Sequence, residues 1–257
     1  MGEFHTPVRK AILNPEIRRR GIYLLPNLLT TGALFAGFYS IVMAMNARFD
    51  QAAVGIFVAM VLDGLDGRIA RLTRTQSAFG AEYDSLSDMV SFGAAPALIM
   101  YVWVLQPMGR LGWIAAFVYC AGAALRLARF NTTVETVDKR FFQGLPSPAA
   151  AALCAGLVWL SDDLGIVRET TLRLVACGVT LFAGITMVSN IPFYSFKDIN
   201  LRRSVPFWTI LLIVLGVILI SVNPPVILFL GFVAYSLSGY VYWFLARTGR
   251  VRSVSLK

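Results

Sequence analysis

From residue 28 to residue 246 the sequence is a succession of long apolar stretches separated by short polar joints. They run approximately over 28–46, 51–71, 84–105, 111–130, 147–161, 172–192, 206–222 and 225–246. A helix needs about 20 residues to cross the hydrocarbon core of a bilayer. Inside lipid every backbone N–H and C=O must find a partner within the protein, which leaves helices as the economical solution for a chain patterned this way. The expected fold is therefore an all-α polytopic membrane protein with about eight transmembrane helices. Composition agrees. Hydrophobic residues make up 57% of the chain and charged residues only 14%, against about 25% charged in an ordinary soluble domain. A cytosolic enzyme, a disulfide-stapled secreted domain and a disordered tail are all excluded. The second, fourth and fifth stretches fall short of a full crossing and contain or abut polar residues.

The basic residues give the orientation. With the N-terminus inside and eight crossings, only Arg48, Arg110, Arg168 and Arg173 of the 23 Lys and Arg face outside. Such an asymmetry follows the positive-inside rule and puts both termini in the cytoplasm. Seven crossings would strand Arg247, Arg250, Arg252 and Lys257 outside. The net charge of +9 thus reports orientation first and anionic lipid second; no nucleic-acid partner is implied. Residues 1–26 form a basic juxtamembrane segment without the pattern of a cleaved signal peptide. Around Arg18-Arg19-Arg20 two readings stand: an interfacial helix on anionic lipid, or a basic stop for the first crossing.

The single His, at position 5, removes histidine-based catalysis and His-rich metal sites. Cys120, Cys154 and Cys177 stand alone in apolar stretches and read as small buried residues. What remains for chemistry is acidic. Asp63, Asp66, Asp84 and Asp88 lie within one short region flanked by apolar sequence on both sides. At about 100° per residue, Asp63, Asp66, Gly67, Ala70 and Arg71 share one helix face. Asp84 and Asp88, spaced i and i+4, stack on the next helix. The short connection from Arg71 to Gly80 predicts two antiparallel neighbours whose carboxylates converge on a cavity at the inner side of the bilayer. An acidic residue inside a membrane costs at least about 2.5 kcal/mol, and four anions repel one another unless cations lie among them. Arg71 neutralises one. Carboxylate-only ligands favour a hard ion, Mg²⁺ or Mn²⁺, for the rest. A hard metal, an arginine and a wall of small residues suit a diphosphate. Two other readings are structural pairing of the carboxylates with Arg68, Arg71 and Arg74, and a divalent-cation path through a transporter. A transport path would continue polar residues toward the outer face, and 52–62 and 89–105 carry almost none but Ser91.

The pattern Asp63-x2-Asp66-Gly67-x2-Ala70-Arg71-x8-Gly80-x3-Asp84-x3-Asp88 resembles the signature of the CDP-alcohol phosphotransferases at all eight fixed positions. The flanking stretches Leu25 to Thr30, Ala124 to Asn131 and Phe142 to Pro148 are similar to the bacterial integral-membrane phosphatidylserine synthases within that family. The resemblance covers roughly residues 20–200. It implies a six-helix core over 27–200, with residues 201–257 adding two transmembrane helices and a basic tail. It also implies a reaction: the hydroxyl of L-serine attacks the diacylglycerol-linked phosphate of CDP-diacylglycerol and CMP leaves. Glycerol 3-phosphate or an inositol-type alcohol is the alternative acceptor. By the same resemblance Asp63, Asp66, Asp84 and Asp88 hold two divalent ions, Mg²⁺ or Mn²⁺, and Asp88 also acts as the base. Gly67, Arg71 and Ser77 contact the CDP moiety, as does the region from Asn27 to Thr30. A homodimer in the inner membrane, with its site at the cytoplasmic leaflet, is implied as well.

For the acceptor, Arg126 and Arg129 sit i and i+3 at the inner end of the fourth stretch, followed by Asn131. A guanidinium suits a carboxylate or a lipid phosphate; positive-inside anchoring is the other reading. Lys197, Arg202 and Arg203 read as anchors. Phe142 to Pro148 reads as a pocket wall or as a helix start. Tyr101, Trp103, Trp113, Tyr119 and Trp159 read as interfacial belt residues.

Overall fold

The computed structural model describes residues 15–73, 75–133, 141–195 and 207–248. They form a helical bundle with one short strand pair. In chain order the elements are α1 (Pro15–Met45), α2 (Phe49–Thr73), α3 (Ala78–Met108), α4 (Arg110–Thr133), β1 (Phe141–Gln143), α5 (Ser147–Asp163), α6 (Thr170–Val188), β2 (Pro192–Tyr194), α7 (Phe207–Val222) and α8 (Pro224–Arg247). The all-α expectation therefore meets one exception, the antiparallel pairing of Phe141 with Tyr194, Phe142 with Phe193 and Gln143 with Pro192.

Five of the described helices, α1 from Leu25, α3, α4, α6 and α8, are long and apolar enough to cross a membrane. The others depart from that standard for visible reasons. The C-terminal half of α2 carries Asp63, Asp66, Arg68 and Arg71. At 17 residues α5 is short, and so is α7 at 16. Every residue of α5 from Ala149 to Val158 is buried. A helix that is apolar all round belongs at the centre of a bundle, and α5 lies there, packed between α2 and α8. By contrast α7 touches mainly α8 and exposes Trp208, Val214, Val217 and Ile218.

Close approach of the helices is bought with small residues. A Cβ on Gly37 of α1 would collide with Ser91 of α3, and one on Gly122 of α4 with the Gly184 carbonyl of α6. The α1–α2 hairpin is tight in the same way, with Gly55 against Ser40. Side chains this small let backbones meet where lipid offers no hydrophobic drive for helix association.

Several sequence expectations need correction. The first helix begins at Pro15 and runs through Pro26, while its candidate span, Leu25–Met45, agrees with the apolar stretch at 28–46. The predicted α2–α3 neighbours are held apart along much of their length, because α1 packs along both. Trp103 and Tyr119 are not belt residues: they are 3% and 0% exposed. The reason for Tyr119 lies in α3. Pro96 has no N–H, so the Phe92 carbonyl one turn earlier loses its normal donor. The helix widens to π geometry over Met89–Ala94, as helices do around such a lesion. The Tyr119 hydroxyl then donates to Phe92 O at 3.0 Å. Trp113 is 58% exposed. The side chains of Arg18, Arg19 and Arg20, and all of Lys197, Arg202 and Arg203, lie outside the described residues.

Candidate active site

The polar end of the bundle is assembled from the start of α1, the end of α2 and the start of α3. Oxygen atoms of Asp63, Asp66 and Asp84 all lie within 4.8 Å of one another. This is the convergence predicted from helical spacing, reached with α1 as the third wall. Asp66 is buried at 4% exposed. Thr30 Oγ1 of α1 donates to Asp66 Oδ2 at 2.6 Å and stands 3.1 Å from the Pro26 carbonyl. The Gly67 backbone also bonds to Asp66, and Arg71 supplies the nearby positive charge. Ser87 of α3 donates to the Thr30 carbonyl at 3.2 Å, so α1 fastens to α3 beside the acids. Thr31 and Tyr83 share a second hydroxyl bond across the same seam, at 2.9 Å.

These residues fit a hard cation. Asp84 Oδ1 is buried and accepts no hydrogen bond, and a buried carboxylate oxygen left without a donor is costly unless a positive charge satisfies it. Oxygen donors at this separation are within the span of one or two divalent ions. Asp66 takes its hydrogen bonds from a threonine and a backbone amide; Arg74, one of the arginines of the structural-pairing reading, lies outside the described residues.

Asp88 stands outside that trio. It lies against Asp63, near Asp84, and faces Arg126 from α4. One turn of helix thus separates a metal-suited carboxylate from one that fronts a cation.

The residues predicted to contact a nucleotide gather at the same end. Ser77 caps α3, its Oγ accepting from the Gly80 N–H at 3.0 Å. A Cβ on Gly80 would lie 3.1 Å from Ser77 Oγ and 3.4 Å from Asn27 Oδ1. Asn27, Ser77 and the amide-rich start of α3 are therefore one patch, and a helix N-terminus attracts phosphate. Gly67 leaves room beside Arg71, whose Nη1 would be 3.7 Å from an added Cβ. Arg71 is exposed. Two residues beyond Thr30 an apolar groove of about 470 Å³ opens between α1 and α2, lined by Gly32, Phe35, Ala36, Val58 and Leu62.

A matching model described as CDP-alcohol phosphatidyltransferase spans residues 23–187. The chain belongs to the CDP-alcohol phosphatidyltransferase family. Among its relatives is a Helicobacter pylori (strain J99) protein named CDP-diacylglycerol–serine O-phosphatidyltransferase. It is 37% identical over 222 residues, covering 86% of this chain and 92% of the relative. A Mycobacterium tuberculosis (strain CDC 1551) protein of the same name is 39% identical over 181 residues, 68% of this chain and 63% of that one. One from Methanocaldococcus jannaschii, again so named, is 38% identical over 143 residues, 56% and 63%. The transferase signature thus belongs to a membrane enzyme family. α8 lies beyond the residues its model matches.

The three polar residues read as an acceptor pocket take different partners in the structure. Arg126 is only 9% exposed; its Nη1 donates to Ser147 Oγ at 2.7 Å, while its Nε is buried without a partner. Arg129 donates to Asn190 Oδ1 at 3.2 Å, and Gln143 Nε2 shares that acceptor at 3.0 Å. Asn131 is engaged with Ser85, its Nδ2 donating at 2.9 Å, and so ties α4 to the turn of α3 that carries Asp84 and Asp88. Phe142 to Pro148 leads into a helix start. Phe142 and Gln143 are in β1, Gly144 turns with φ +79°, and Ser147 opens α5. Gln143 and Ser147 fall in the Gly- and Pro-punctuated stretch Phe142 to Pro148, and Asn190 at the end of the apolar stretch 172–192, but the sequence marked none of them as partners of these arginines.

Proposed function

We propose that this protein transfers the phosphatidyl group of CDP-diacylglycerol to the hydroxyl of L-serine, giving phosphatidylserine and CMP. The observation that carries the proposal is the meeting of three carboxylates, Asp63, Asp66 and Asp84, beside an Asp88 that faces the buried Arg126. The names of the relatives support serine as acceptor.

Asp63, Asp66 and Asp84 would hold Mg²⁺ or Mn²⁺, with Asp88 at the edge of the set and room for two ions. Such ions, when bound, screen the diphosphate and stabilise the charge that develops on departing CMP. The chain's own residues do the rest. Asn27, Thr30, Gly67, Arg71 and Ser77 receive the CDP moiety: Arg71 as a bidentate phosphate partner, the start of α3 with its amides, Gly67 by its absent side chain. The groove between α1 and α2 gives an acyl chain an apolar path while the headgroup stays at the polar end. Arg126 takes the serine carboxylate, and Arg129 adds positive potential behind it. Asn131 holds Ser85, and with it the helix turn of the acids. Asp88 accepts the proton of the serine hydroxyl. The freed oxygen forms the new bond to the diacylglycerol-linked phosphorus as the bond from that phosphorus to the CMP oxygen breaks. Water-soluble serine and CMP exchange with the cytoplasm while the lipid stays in the inner leaflet.

The same reading gives a catalytic unit over 27–200, preceded by the basic segment 1–26 and followed by 201–257. It takes the protein to cross the inner membrane eight times with both termini cytoplasmic, and to work as a homodimer. Transport is disfavoured, because past Asp88 the next polar side chain, Ser91, is buried and bonded to the Ala33 carbonyl at 3.1 Å.

The test is CMP release by purified protein given CDP-diacylglycerol and a panel of alcohols. Release with serine is expected. Turnover with glycerol 3-phosphate or inositol and none with serine would overturn the acceptor; no release with any alcohol, alongside cation uptake into proteoliposomes, would overturn the class.

A further inference from the structure

We infer that Ser147, the first residue of α5, is the residue that positions Arg126 for the acceptor's carboxylate. This rests on the phosphatidyl-transfer reading above and adds to it a side chain which that reading does not use.

Arg126 owes its place to the seam between α3 and α4. Two bonds pin these helices together. Tyr119 donates to the Phe92 carbonyl at 3.0 Å, and Asn131 Nδ2 donates to Ser85 Oγ at 2.9 Å. Higher numbers on α4 meet lower numbers on α3, so the two run antiparallel. Arg126 lies between the two bonds on α4, and Asp88 lies between them on α3. At about 100° per residue Arg126 shares a helix face with Tyr119 and Ala123. Ala123 meets α3 at Gly93, where an added Cβ would lie 3.2 Å from the Ala123 Cβ. The stem of Arg126 therefore leaves α4 on the face turned toward α3, at the acidic end of the bundle.

The guanidinium donors are divided. Arg126 is only 9% exposed, a depth at which each N–H needs an acceptor. A guanidinium carries donors alone, so Ser147 Oγ is the acceptor of the 2.7 Å bond from Nη1. Nε is buried and has no partner. Arginine holds a planar carboxylate through parallel N–H bonds, and a buried Nε–H left unpaired calls for such an anion. The start of α5, a helix of 17 residues, points the same way. A helix N-terminus carries partial positive charge, so a cation beside it is unfavourable until an anion joins them.

Ser147 is itself firmly held. It is fully buried, and the turn before it is stitched to the end of α6. The Gly144 N–H donates to the Ile191 carbonyl at 2.9 Å, and the Leu145 N–H to the Thr186 carbonyl at 3.1 Å. Gly144 adopts φ +79°, and a Cβ there would collide with the Met187 carbonyl. The hydroxyl thus has a fixed origin from which to fix the guanidinium. Without it the long arginine side chain regains rotamer freedom. The carboxylate contact weakens while the reacting atoms are untouched, which is a change in KM and not in kcat.

The experiment compares wild type, Ser147→Ala, Ser147→Cys and Ser147→Thr in detergent, measuring CMP release as serine and CDP-diacylglycerol are varied in turn. Expected for Ser147→Ala is a rise of about tenfold in KM for serine, with kcat and the KM for CDP-diacylglycerol within about twofold. Ser147→Thr keeps the hydroxyl and is expected to keep the wild-type KM for serine. Ser147→Cys keeps the size of the side chain but is a weaker acceptor, and is expected to fall between wild type and Ser147→Ala. An unchanged serine KM in Ser147→Ala overturns the inference. So does an equal rise in the KM of both substrates, which would make the effect one of packing. Ser147→Cys decides independently of how well the alanine variant folds: a wild-type serine KM there overturns the inference as well. Failure of the acceptor assignment is read separately, from wild type alone: no release with serine while another alcohol works.

Discussion

At the scale of single residues the account divides four aspartates by position. Asp63, Asp66 and Asp84 face one another, and Asp88 faces Arg126. Asp88→Asn keeps the shape and removes the base. We expect kcat to fall by about 10²- to 10⁴-fold with CDP-diacylglycerol binding nearly unchanged, as read by CMP release beside a direct binding assay; near-normal turnover would show that the base lies elsewhere. Thr30 orients Asp66 through a 2.6 Å bond, and groups that orient a metal ligand are worth about 10- to 100-fold in metal affinity. Thr30→Val should therefore raise the Mn²⁺ concentration that half-activates CMP release by at least about tenfold. The acids were legible in the sequence because i, i+3 and i, i+4 spacings fix a shared helix face whatever the tertiary fold. Thr30 was legible only through the family resemblance. Its bond to Asp66 spans 36 residues, and no local rule encodes that.

At the scale of elements the instructive case is α3. Its apolar content announced a crossing, yet the π segment and the burial of Tyr119 follow from one proline. Pro96 strips the Phe92 carbonyl of its donor, and Tyr119 restores it from α4. The amphipathic ring of Tyr119 suits a membrane interface, but the carbonyl it serves lies 27 residues earlier, on the preceding helix. Tyr119→Phe retains the ring and orphans the carbonyl, at a cost of about 1–3 kcal/mol. A melting temperature several degrees below wild type, with metal activation unchanged, is the expected result. The α4–α6 crossing tests packing instead. Gly122→Ala sets a methyl group against the Gly184 backbone, and overpacking of this kind costs about 1–3 kcal/mol; a lower melting temperature is expected there too. The order of apolar stretches conveyed the helices well, while the β1–β2 pair escaped notice because three-residue strands carry no period to read.

At the scale of the whole molecule the asymmetry of basic residues predicts the topology. In a background with Cys120, Cys154 and Cys177 replaced by alanine, a cysteine at Val167 should react with an impermeant thiol reagent in intact cells. One at Thr248 should react only after permeabilisation. Labelling of both from outside would contradict eight crossings. The same topology brings the acids, Arg126 and the strand pair to one end of the bundle, where lipid-held donor and water-borne acceptor can meet. The central claim is that acids from two helices, braced by a third, grip hard cations for a nucleotide-activated lipid. Anomalous scattering from crystals grown with Mn²⁺ tests it most directly. The account expects a peak coordinated by Asp63, Asp66 and Asp84, lost in Asp66→Asn; a well-ordered site with no manganese among those three carboxylates would contradict it.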